Sequence, residues 1–182
     1  MMNISEINTA SPFRDLFPIE ENIVKEIMWD IQKKGFDESK PIVLWKGRLI
    51  VIDGHTRLRA AQKAGLEQVP VVMKDFDDTE TALEYAVKSQ RNRRNLKDIE
   101  ILQCVAALDK RQHSGQRNDL APCGARLGKT SEETAKTLGI SSRKVERARA
   151  VLDKASEEVK EAVKSGEMSI NSAYNKTVNP DN

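Results

Sequence analysis

The sequence predicts an α+β protein, a small mixed-sheet domain followed by an all-α domain built on a helix-turn-helix. Three observations carry this. Short β-branched apolar runs alternate with helical patterns only in the first half. Helix-capping signals with 3.6-residue periodicity fill the second half. Charge divides the same way: residues 1–87 hold 11 Lys and Arg against 15 Asp and Glu, and residues 88–182 hold 19 against 13.

In chain order, the turn-rich segment Ser11 to Pro18 leads into an amphipathic helix with Ile23, Ile27 and Ile31 on one face, closed at Gly35. Glu20 and Glu21 open it, where acids complement the helix dipole. Pro41 to Trp45 and Arg48 to Ile52 flank Lys46-Gly47 and read as a β-hairpin. After a short helix ended by Gly65, Val69 to Met73 reads as a third strand. Asp77 to Glu80 has capping-box spacing, with Asp in place of Ser or Thr, and opens a helix through about Val87. The run Lys88 to Leu96 is dense in cations, and periodicity resumes at Ile99, Leu102, Val105 and Ala106.

Residues 112–129 are rich in glycine and polar side chains and predict a flexible linker. Thr130 to Glu133 is a capping box opening a helix to Leu138. Gly139-Ile140-Ser141 then turns the chain into a helix running from Ser142 to Leu152. Ala135 is small where two helices would cross, Ile140 plugs the core and Val145 anchors the second helix, so the spacing is that of a helix-turn-helix. Ser142, Arg143, Lys144, Arg147 and Arg149 are the candidate DNA-contacting residues, Arg143 and Arg147 for guanine edges, Lys144 and Arg149 for phosphates. Ser156 to Ser165 and Ser169 to Tyr174 predict two further helices. The expected organisation is a first domain over 1–90, a connecting helix over 91–111, the linker, a helix-turn-helix domain over 130–176 and a frayed tail over 177–182.

Hydrophobic residues at 38% with charged residues at 32% fit a globular chain with its own core, mostly aliphatic because aromatics are only 4%. No run approaches the roughly 18 apolar residues of a membrane span, and the first residues lack the features of a signal peptide, which predicts a cytoplasmic protein. Two cysteines without CxxC spacing indicate neither a disulfide framework nor a zinc site, and no metal site is expected. No heptad repeat follows Tyr174, so the sequence predicts a monomer or weak dimer.

The stretch Val51-Ile-Asp-Gly-His-Thr-Arg-Leu-Arg-Ala-Ala61 holds the first domain's candidate chemistry. A buried strand breaks at Gly54 into a helix whose first turn offers unpaired N–H groups and a partial positive charge. Arg57 in that turn is repelled unless an anion sits there or an acid pairs with it. Both readings are open from the residues alone. The anion reading takes Gly54, His55, Thr56 and Arg57 as phosphate-holding.

In this order the pieces resemble the ParB N-terminal domain superfamily, which shares its fold with sulfiredoxin, followed by that family's helix-turn-helix. Val51 to Ala61 is similar to the family's phosphate-binding GERRxRAA stretch, and Ser89 to Glu100 to its ENxxRxxLxxxE region. Gly54, Arg57 and Arg93 keep the family types. His55 and Thr56 replace a glutamate and an arginine, and Ser89 and Gln90 replace the glutamate and asparagine associated with magnesium and nucleotide. The DGHTR variant looks like a shorter subgroup of plasmids, phages and integrative elements.

The resemblance implies double-stranded DNA as partner, a role in plasmid or chromosome partition, replication or mobile-element regulation, and a nucleoid- or plasmid-associated address. A partition or replication protein is the implied protein partner. CTP or ATP with magnesium is the implied cofactor, with Gln90, Arg93 and Arg94 joining the glycine-loop residues, and a weak NTPase the implied activity. The alternative is an ATP-dependent small-molecule kinase or NTP phosphohydrolase of the same fold, with Glu20 or Glu21 as base beside Asp53. Sulfiredoxin chemistry is set aside, because that family's cysteine falls at His55.

Overall fold

The structure is a computed structural model that describes residues 1–92, 95–114 and 130–179. The chain divides into two compact units, Met1–Ser89 and Gln90–Asn182. An α+β unit is followed by an all-helical one.

The first unit begins with β1 (Met2–Asn3) and two single 3-10 turns before α1 (Glu21–Lys34). The acid Glu21 opens α1, and Lys33 and Lys34 close it, the charge order that the helix dipole favours. Then come β2 (Ile42–Trp45), β3 (Ile50–Asp53), α2 (His55–Lys63), β4 (Gln68–Val69), β5 (Val71–Lys74) and α3 (Thr79–Arg91), whose last two residues, Gln90 and Arg91, belong to the second unit. One sheet has the order β3-β2-β5, with β2 antiparallel to β3 and parallel to β5, while β1 pairs antiparallel with β4. The core gathers Val24 and Ile31 of α1, Ile42 and Leu44 of β2, Val51 of β3, and Leu58, Ala60 and Ala61 of α2. Burying these aliphatic faces is what packs α1 and α2 with the strands. At one end Trp45 meets Phe13 and Phe76 edge to face, with centroids 6.2 and 5.8 Å apart.

Three expectations shift. The hairpin turn spans four residues, because Leu49 as well as Gly47 takes a positive φ, and the second strand starts at Ile50 instead of Arg48. The expected strand Val69 to Met73 is broken at Pro70, which has no N–H to donate and passes only its carbonyl to Ile42. Finally, the cap of α3 is Asp78, whose carboxylate accepts from the Thr81 N–H at 2.8 Å, and the helix continues to Arg91.

The second unit holds α4 (Asp98–Ser114), α5 (Ser131–Leu138), α6 (Ser142–Lys154), α7 (Glu157–Lys164) and α8 (Ile170–Val178). Residues 112–114 of the expected linker are therefore helical, and the rest of it lies outside the described residues. The capping box at Thr130 and Glu133 is formed in both directions, 3.2 and 2.8 Å. Ser141, Ser156 and Ser169 each cap the following helix. Leu138, Val145, Ala148, Val151, Val163, Ile170 and Ala173 are buried. Ile140, expected to plug the core, is half-buried. Among the described residues no helix is long and apolar enough to cross a membrane.

Candidate functional site

In the first unit the chain leaves β3 at the buried Asp53 and enters α2 through Gly54, whose φ of 103° lies in the left-handed region. A side chain there would be strained twice, since a Cβ would also lie 3.1 Å from Arg57 Nη2 and 3.4 Å from the Ile42 Cα. No side chain caps α2. Its first intrahelical hydrogen bond runs from the Leu58 N–H to the Gly54 carbonyl, so the N–H groups of His55, Thr56 and Arg57 are not used by the helix itself.

Arg57 follows the acid-pairing alternative. Its guanidinium turns back to Asp53 at 3.4 Å and donates to the carbonyls of Lys40 and, at 2.9 Å, Pro41. Asp53 is 2% exposed in its side chain, and it also accepts from Ser89 at 3.4 Å. The carboxylate thus neutralises the cation that the helix dipole would repel. Ser89 and the Lys40 and Pro41 carbonyls are partners that sequence reasoning missed. Nothing local in the sequence links residues 40 and 57; only the fold brings them together.

His55 points inward as well. Its Nε2 is shut off from solvent and has no hydrogen-bond partner among the described residues. Burial lowers its pKa from 6.5 to about 4, against the opposing pull of Asp53 and Asp15. The ring is neutral near pH 7, so what His55 offers an anion is its backbone N–H. Beside this turn a cleft of about 220 Å³ is lined by Ile27, Ile31, Gly35 and Phe36 and by the charged Asp30, Asp37, Lys40 and Arg57.

The alternative catalytic acids fare differently. Glu21 binds both Arg59 and Lys63, and the Lys63 hydrogen bond with those charges holds its carboxyl below the usual range. A carboxylate shared by two cations is a weak base. Glu20 is the N-cap residue of α1 and makes no side-chain cap bond. Among the described residues no three His, Cys, Asp or Glu side chains gather as a potential metal site, and Asp53 beside the loop pairs with Arg57. The uncapped turn of α2 does fit a phosphate. Gln90 is half-buried in the second unit, and Arg93 and Arg94 lie outside the described residues.

In the second unit α6 follows α5 across Gly139, Ile140 and Ser141. Gly139 takes φ 69° and donates its N–H to the Ala135 carbonyl, and the Ser141 hydroxyl caps α6 by accepting from Lys144 N–H. The basic residues of α6 part company. Arg143 is exposed and makes no hydrogen bond or ion pair among the described residues. Lys144 binds Asp98 at 2.7 Å. Arg147 donates to Asn171 at 2.7 Å and lies over the Tyr174 ring, 5.5 Å from its centroid. Ser142 sits half-buried in the first turn. Arg149, expected at a phosphate, instead grips Asp109 through two nitrogens at 3.0 and 2.9 Å and donates to Ser131 and the buried Thr134. Its position one turn beyond Val145 sends it into the packing of α4, α5 and α6.

Comparison with known proteins agrees with this division. The ParB N-terminal domain family matches residues 1–90. A chromosome-partitioning protein Spo0J of Thermus thermophilus is 30% identical over 148 residues, 81% of this chain and 48% of that protein. A nucleoid occlusion protein of Bacillus licheniformis is 34% identical over 138 residues, 74% of this chain and 46% of that one. The chain spans about half the length of these relatives. Among solved structures, a C-terminally truncated ParB of Caulobacter crescentus complexed to its centromeric parS site superposes with a TM-score of 0.60 at 21% identity, covering 98% of this chain and 84% of that one. A pNOB8-like ParB N-domain gives 0.65 at 16% identity, covering 95% and 71%. At these identities the structures speak to fold.

Proposed function

Because this chain is a ParB-like protein, its residues 1–90 belonging to the ParB N-terminal domain family, we propose that it binds double-stranded DNA through α5 and α6. Its role is then in plasmid or chromosome partition, replication or mobile-element regulation. One observation carries this reading: the first turn of α6, capped by Ser141, presents Arg143 exposed and without a partner among the described residues. A recognition helix enters the major groove by its N-terminal residues, and a free guanidinium there can pair in bidentate fashion with guanine. Arg147, braced by Asn171 and Tyr174, is pre-oriented for the same work. Lys144 serves phosphates only by exchanging Asp98 for DNA.

The first unit acts in this proposal as a nucleotide-responsive module. Phosphates would lie on the N–H groups at the start of α2, and the cleft that Arg57 helps to line, with Ile27, Ile31 and Phe36 beside Asp30, Asp37 and Lys40, would take the base or sugar, with CTP or ATP as the ligand class. Titration calorimetry with CTP, ATP and GTP checks it, and no heat at millimolar ligand would remove it. Because Asp53 is committed to Arg57, the loop's own residues supply no hydrolytic acid.

The DNA reading is tested by selecting duplexes from a random library with the full chain, then measuring affinity for the selected and a scrambled duplex at two salt concentrations. Arg143→Ala should lose roughly 1–3 kcal/mol of discrimination between the two duplexes. If the wild type enriched no sequence and bound no duplex at low salt, or if Arg143→Ala and Arg147→Ala both bound as it does, α5 and α6 would be a structural hairpin.

A further inference from the structure

We propose that Arg91, a residue outside both helices of the DNA-binding pair, is the positioning residue that sets where α6 points. The inference rests on the reading of α6 as the DNA-entering helix. Its observations all lie in the second unit.

An α-helix leaves its last four carbonyls without intrahelical donors. At the end of α5 the Ala135 carbonyl receives the N–H groups of both Gly139 and Ile140, 2.7 and 3.1 Å. The next two carbonyls are served by Arg91: its Nη1 donates to Lys136 at 2.8 Å and to Thr137 at 3.3 Å, while Nη2 donates to the Asn92 side chain at 3.4 Å. A cation at a helix C-terminus is also favoured by the dipole.

The aliphatic stem of Arg91 makes a second contact. A Cβ at Gly139 would fall 2.6 Å from Arg91 Cδ and 3.4 Å from Cγ and Nε. The turn between α5 and α6 is therefore closed over this arginine: Gly139 is needed both for its backbone angle and for the space Arg91 occupies. α6 begins three residues later, at Ser142. A change in the turn swings the whole of α6, and with it Arg143, relative to α5. The guanidinium is committed to protein carbonyls, so its effect on DNA passes through α6 and not through a phosphate.

That distinction is measurable with the full chain. The probes are a duplex selected from a random library by the wild type, titrated across a salt series, and amide hydrogen exchange of the free protein. Arg91→Ala should bind the selected duplex about tenfold more weakly, the consequence of leaving two carbonyls uncapped. Its dependence on salt should stay that of the wild type, and the amides of residues 139–145 should exchange faster. Arg91→Lys should recover most of the affinity, because an ammonium can reach the same carbonyls.

Wild-type affinity in Arg91→Ala would overturn the proposal. So would a salt slope shallower by about one, the mark of a lost phosphate contact. Should the wild type bind no duplex, the DNA reading falls by itself, and the exchange experiment still decides whether Arg91 holds the turn: faster exchange upholds that hold, and unchanged exchange removes it.

Discussion

The start of α2 and the start of α6 present the same residue type in the same first turn and use it in opposite ways. Arg57 follows the uncapped residue Gly54 and folds back onto Asp53 and two carbonyls; Arg143 follows the capping residue Ser141 and stays in solvent. Where the cap is a side chain, the helix satisfies part of its own N-terminus and the arginine is free for an outside partner. Where the cap is glycine, the helix itself does not use its first N–H groups and the arginine turns inside.

The sharpest way to break the comparison is to delete each arginine. Arg57→Ala leaves the Asp53 carboxylate buried without its cation, and removing one member of a buried pair costs about 3–5 kcal/mol. Chemical denaturation should show a loss on that scale. Arg143→Ala should stay within about 0.5 kcal/mol of the wild type, as exposed substitutions do. The double variant Asp53→Asn with Arg57→Met should be less damaged than Arg57→Ala alone. If Arg57→Ala cost no more than Arg143→Ala, the inward pairing would not matter to stability.

Acid tests the same contrast through His55, a buried imidazole with no counterpart at the start of α6. Its folded pKa of about 4 lies below the 6.5 of the unfolded chain, so between those values the unfolded state binds more protons. Stability from this residue is complete above about pH 6.5 and is lost as pH falls toward 4, by at most about 3 kcal/mol. Carboxylates are largely silent between pH 5.5 and 6.5, where denaturation midpoints should fall with acid in the wild type and stay level in His55→Gln. The other histidine, His113, is present in both proteins. An equal slope in the two would mean that the ring is not held neutral.

The strand runs, helix faces and capping signals were legible because they depend on neighbours a few residues apart: Val51 and Leu58 are buried as their patterns require, and Thr130 and Glu133 form their box. The hairpin and the turn at Gly54 were legible for the same reason. What could not be read were the partners across the fold. Local sequence left Arg57 two choices, and the choice is made by Asp53 together with carbonyls seventeen and sixteen residues away. Arg149 looked like its neighbours on α6 until α4 brought Asp109 against it. Pro70 was visible as a residue, yet its power to split a strand depends on which side of that strand must donate.

The smallest effect concerns the cap itself. The Ser141 hydroxyl accepts from the Lys144 N–H at 3.3 Å, a long bond, whereas Gly54 gives α2 no such acceptor. Replacing a serine N-cap by alanine costs about 1 kcal/mol, and the length of this bond places Ser141→Ala at or below that value. The loss should leave the first turn of α6 frayed, with faster amide exchange at Lys144. In that state α6, like α2, has no side-chain cap at its start. A phosphate anion should then stabilise Ser141→Ala slightly more than the wild type, because it can take the place of the lost hydroxyl. Thermal melts of both proteins in sulfate-free buffer with and without phosphate read this difference; a larger gain in the wild type would mean that the side-chain cap is not what separates the two helix starts.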